Sequence, residues 1–132
     1  LKHERLARIV WQHIGWDNAG GQSPIMLQRL LDDHPNLFLA LRVEIRTFQV
    51  ASRKLMPNRI VDSSGAITKA WRAFMERNQD RLVIGADEFI SPTGSPSRAA
   101  SFQDTWSLID QLPKRLAPKI GGANARRIYN LH

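Results

Sequence analysis

A chain of 132 residues with 42% hydrophobic and 23% charged residues is long enough for one core, and a single domain over residues 1–132 is expected. It has no cysteine, which excludes disulfides and thiolate metal sites and leaves His, Asp and Glu as the side chains that can ligate a metal. No window of about 18 apolar residues occurs, so no membrane span is expected. Lys2-His3-Glu4-Arg5 has no long apolar region behind it, so no secretory leader is expected either, and the cytoplasm is the favoured compartment. Leu1 stands where an initiating Met would, and the chain is expected to be a piece of something longer. The net charge of +7 raises the question of nucleic acid, because clustered Lys and Arg displace counterions from phosphates. The cations are scattered instead, with no arginine stripe and no interleaved aromatics. Nucleic-acid binding is therefore not expected, and the charge bears on solubility.

Residues 8–13, Arg-Ile-Val-Trp-Gln-His, form an apolar run with an imidazole at its exit, followed by Gly15 and the pair Gly20-Gly21. This reads as a strand. Ser23-Pro24 then starts a helix, since Ser can cap and proline at the first helical position lacks an amide that would be unpaired anyway. Met26, Leu27, Leu30 and Leu31 supply its apolar stripe, which stops before Pro35. Residues 37–43, nearly all apolar, read as a strand covered on both faces. Residues 44–65 show no firm period and carry Arg46, Arg53, Lys54 and Arg59; a connection of that length is more often functional than idle.

Ile67, Trp71, Phe74 and Met75 mark one face of the next helix. It leads into residues 81–89, a short apolar run that ends abruptly in Asp87 and Glu88 and reads as a buried parallel strand. Residues 91–97, Ser-Pro-Thr-Gly-Ser-Pro-Ser, are a loop by composition. Phe102, Trp106 and Ile109 give a further helix, closed by Pro113. The tail holds Leu116, Ile120 and Gly121-Gly122, then a short helix that Asn124 can cap, with Ile128 and Tyr129 inward. Strands alternating with helices imply an α/β fold with parallel pairing and right-handed crossovers. A closed eight-stranded barrel takes roughly 250 residues, so three strands do not close one.

Four segments, in order, resemble the C-terminal part of the metal-dependent amidohydrolase superfamily. They are Ile9-Val-Trp-Gln-His-Ile-Gly-Trp16, His34-Pro-Asn-Leu-Phe38, Asp80-Arg-Leu-Val-Ile-Gly-Ala-Asp-Glu-Phe89, and Leu112-Pro113 with Lys119-Ile-Gly-Gly-Ala-Asn-Ala-Arg-Arg-Ile-Tyr-Asn-Leu131. The nearest branch is the amidohydrolase-related group of the aminocarboxymuconate-semialdehyde decarboxylase type. The resemblance implies about three strand-helix units from the C-terminal part of a (β/α)8 TIM-like barrel. The strands leading to His13, from Leu37 and to Asp87 would be the sixth, seventh and eighth.

The same resemblance implies a hydrolase or decarboxylase in which water on a divalent metal, zinc being expected, attacks a small-molecule substrate. Asp87 would bind the metal and carry a proton of its water. His13 would contact substrate or water, or ligate a second ion. The family's first-strand His-x-His pair and fifth-strand ligand have no counterpart here, so this chain alone is expected to be inactive. It is expected to pair with its missing N-terminal half or with another copy as a homo-oligomer. The tail departs from the family, with Gly121-Gly122-Ala123 where members commonly show a shorter Gly-Asn-Ala turn.

Each candidate also has a plainer reading. Asp87 can cap the following segment or pair with an arginine, and His13 can be a hydrogen-bonded core histidine. Trp16 can wall a substrate pocket or simply pack. Arg46 can hold a substrate carboxylate through its bidentate fork, or stand on a solvated face. His3, His34 and His132 are read as structural or solvated, and Glu88 as support for Asp87. From another class, the alternative is a non-catalytic binding or interaction module derived from a barrel.

Overall fold

Three short apolar runs pair into one parallel sheet in chain order, β1-β2-β3, in a computed structural model that describes residues 7–17, 19–43, 58–85 and 100–132, with backbone alone for 100–102. The strands are β1 (Ile9–Ile14), β2 (Leu37–Leu41) and β3 (Leu82–Ile84). Around them lie α1 (Pro24–Asp33), α2 (Lys69–Arg77), α3 (Ala100–Asp110) and α4 (Asn124–Tyr129). The protein is thus mixed α/β, with a three-stranded parallel sheet and four α-helices among the described residues. None of these helices is long and apolar enough to cross a membrane.

Every residue of β2 is buried, as its unbroken apolar run requires of a central strand covered on both sides. Alternation then sorts its side chains. Leu37, Leu39 and Leu41 join Leu27 and Leu31 of α1, Trp71, Phe74 and Met75 of α2, and Leu108 and Ile109 of α3 in the main core. Phe38 and Ala40 point the other way and meet Val83 and Ile128 in a smaller cluster. The register aligns Ile9 with Leu37, Leu39 with Leu82, and Leu41 with both Ile14 and Ile84, so the three strands end on a common rim. Arg42 N–H donates to Ile14 O and Gly85 N–H to Leu41 O, both at 2.8 Å, carrying the ladder one residue past the strands.

α1 begins as its sequence dictates: Ser23 Oγ accepts the Met26 amide at 3.2 Å, and Pro24 takes the first helical position. Four expectations are corrected. Ile67 lies outside α2, because it makes an isolated antiparallel bridge to Val61, yet it is buried in the same core. Asn124 does not cap α4: Lys119–Ala123 form a π-helical turn that runs straight into it, and Asn124 has helical angles. Tyr129 faces outward with 47% of its surface exposed, while its neighbour Ile128 is buried, because a six-residue helix lying on a sheet can turn only one stripe inward. Trp106 is likewise 44% exposed, so the inward face of α3 is formed by Thr105, Leu108 and Ile109.

Candidate functional site

The rim where the strands end carries His13. It interrupts β1: between Trp11 and Ile14 this strand advances three residues while β2 advances only two, from Leu39 to Leu41. The extra residue is a bulge, and His13 takes a left-handed φ of 64°. Such a conformation is uncommon outside glycine, and bulges re-aim side chains where they occur. Gly15, at φ 100°, completes the exit. A Cβ there would lie 2.5 Å from Ile60 Cδ1 and 2.7 Å from Arg42 O, so only glycine fits.

The bulge brings His13 beside Trp16, with ring centroids 5.7 Å apart in an edge-on arrangement. On the indole face of Trp16 lies the Arg42 guanidinium, 4.0 Å from the ring centroid, contributed by the end of β2. His13 and Trp16 together border a cavity of about 440 Å³ whose other walls include Trp11, Gln12, Gln22 and Met26. Gln12 reaches across the sheet: its Oε1 lies 2.9 Å from where a Cβ on Gly85 would stand, so the absence of a side chain at Gly85 leaves room for that amide. Indole and thioether walls with two carboxamides suit a small, partly apolar molecule. The imidazole at its edge can accept or donate a proton, or ligate a metal.

Asp17, one residue past Trp16, is 2% exposed. Its Oδ1 accepts the amides of Ala19 (3.1 Å), Gly20 (2.8 Å) and Gly21 (3.2 Å); its Oδ2 accepts Gln22 N–H (2.8 Å) and Asn58 Nδ2 (2.7 Å). Burial pushes its carboxyl pKa up, but the Asn58 amide and the Gln22, Gly20 and Ala19 N–H groups together outweigh burial and hold it below the ordinary carboxylate value. With five donors around two oxygens, Asp17 is a structural anion, poorly placed to ligate a metal or carry protons.

Of the residues singled out in the sequence, the structure brings His13 and Trp16 to one cavity. Asp87, Glu88, Arg46, Arg53, Lys54 and His3 lie outside the described residues. Gly85, at the end of β3, stands two positions before Asp87. His34 ends α1, and its backbone carbonyl accepts the Arg81 guanidinium at 2.6 Å. His132 is exposed at the end of the chain. Sequence reading missed Asp17, Arg42 and Gln12. For Asp17 a signal existed, since an aspartate just before Asn18-Ala19-Gly20-Gly21 is a common way to gather the free amides of a tight loop. For Arg42 and Gln12 there was none.

Among the described residues no group of three or more His, Cys, Asp or Glu could hold a metal ion. A catalytic zinc usually takes three protein ligands; of the two candidates named from the sequence, His13 lies on the described rim and Asp87 outside the described residues. Compared with known protein families, characterised proteins and solved structures, the chain matches none at a significant level.

Proposed function

We propose that the chain forms the last three strand-helix units of an amidohydrolase-type barrel, a metal-dependent hydrolase or decarboxylase acting on a small molecule at the strand-end rim. One observation carries this reading: the register of the parallel sheet ends all three strands together, with His13 on the bulge of β1 and Gly85, two residues before Asp87, at the exit of β3. In α/β folds that end of the strands is where chemistry is built.

The tail remains a departure from the family pattern. Lys119–Ala123 form a π-helical turn, with Asn124 N–H donating to Lys119 O. Asn124 packs against β3, donating to Gln79 O at 2.7 Å and Leu82 O at 2.8 Å.

On this reading His13 orients substrate or moves a proton at the mouth of the cavity, Trp16 walls the substrate, and Arg46 takes a substrate carboxylate. Asp87 handles the proton of the attacking water. A divalent ion, zinc by expectation, would polarise the substrate and the water when bound. Beyond His13 and Asp87 its ligands would come from other strands or from a second copy of the chain.

Titration with zinc chloride tests the reading. Weak binding is expected, and His13→Ala and Asp87→Asn should each weaken it further, because removing one of two ligands leaves a single donor. Wild-type zinc affinity in both variants would overturn the assignment.

A further inference from the structure

Asp17 does more than satisfy its own loop. Besides the four loop amides it accepts Asn58 Nδ2, which also donates to Gly20 O at 3.2 Å, while Asn58 O accepts Trp71 Nε1 at 3.0 Å. One carboxylate therefore joins the loop leaving β1, the segment approaching α2, and α2 itself. Asn58 holds φ at 56°, a left-handed conformation that asparagine tolerates better than most residues.

The loop so gathered contains Gly15, Gly20 and Gly21, and glycine-rich chain loses more conformational entropy on ordering than any other. Without the carboxylate, four amides that converge on a buried point would lose their acceptor. Trp16 sits between this clasp and the left-handed His13. Its backbone is fixed on one side by the bulge and on the other by Asp17, and Trp16 N–H donates to His13 O at 3.1 Å. The indole then meets two side chains, His13 of β1 edge-on and the guanidinium of Arg42, one residue past β2, over its ring.

We propose that Asp17 is a positioning residue for the rim: by closing the loop after β1 and tying it to Asn58, it holds Trp16 against His13 and Arg42 and so shapes the cavity wall. The role acts through Trp16 and needs no contact with a ligand, and it stands whether or not the rim is hydrolytic. Asparagine at this position would be a poor substitute. Its oxygen can serve the three amides at Oδ1, but its NH₂ would then face the Gln22 N–H and the Asn58 NH₂, donor against donor.

The His13 ring protons report the outcome by NMR, because the edge-on Trp16 indole shifts their resonances through its ring current. Trp16→Leu, which removes the indole, sets the scale. Asp17→Asn should move the His13 resonances at least half as far in the same direction, while the amides of the core residues Leu39 and Val83 keep their wild-type positions. Wild-type His13 resonances in a folded Asp17→Asn protein would overturn the proposal and confine Asp17 to its own loop. If Asp17→Asn does not fold, Asn58→Ala decides: it keeps the carboxylate and removes one donor, and should move His13 the same way by less. No movement there overturns the proposal equally.

Discussion

The two ends of the sheet use polar side chains in opposite senses. At the end where the chain enters the strands, donors serve backbone carbonyls. Asn124 bonds Gln79 O and Leu82 O, Arg81 bonds His34 O and Leu37 O, Arg8 bonds Arg127 O and Ile128 O, and Asn36 bonds Ala7 O. At the rim the main device is an acceptor, the Asp17 carboxylate, serving amides. Burial, and after it the nearby Arg127 cation, pull the Arg81 pKa below the usual arginine value, yet the guanidinium donates to the carbonyls of His34 and Leu37, which favours its charge. The entering end thus clamps secondary elements to one another. The rim also leaves an imidazole facing a cavity, and that is what separates a structural end from a candidate site.

Substitutions at the two ends sharpen this contrast, the largest effect being expected at the entering end. Asn124 is 3% exposed and its amide serves two strand-entry carbonyls. Asn124→Ala should cost about 2–4 kcal/mol in urea unfolding, since two acceptors lose their donor in a closed site. It should leave the His13 resonances in place. A loss under about 1 kcal/mol would mean that water replaces the amide and that the clamp is dispensable.

Gly15→Ala should cost about 1–3 kcal/mol through strain at a positive φ, with Ile60 and Arg42 obliged to shift. Unlike Asn124→Ala it should disturb His13 and Trp16, which is visible in the same NMR spectra. An unperturbed rim would show that the exit of β1 tolerates a side chain and that its geometry is set elsewhere.

The smallest effect concerns acid. Asp17 has a folded-state pKa below its unfolded value, so the stability it contributes is fully present above the ordinary carboxylate pKa of about 3.9 and is lost as pH falls through the lower folded value. Between pH 6 and about 3, the amides of Gly20 and Gly21 should gain hydrogen exchange before those of Leu39. Simultaneous exposure of all three would mean that the loop and the core open as one unit.

The sequence by itself determined the features whose causes are local. Ser23-Pro24 starts α1 because cap and proline act within three residues, and the uninterrupted run from Leu37 makes a strand that must be covered on both faces. It also placed His13 at a strand exit and the order of three parallel strands, because both follow from apolar runs and the turns between them. The bulge at His13 was not legible, since it depends on register against β2, nor was the role of Asp17, whose partner Asn58 is 41 residues away. Asn124 looked like a cap because a cap is the nearest use for an asparagine at a helix start. Its real partners, Gln79 O and Leu82 O, are more than 40 residues distant. Tyr129 was read inward beside Ile128, and Trp106 was placed on the apolar stripe of its helix, but which stripe of a helix is buried depends on the surface it lies against, and that surface exists only once the sheet has formed.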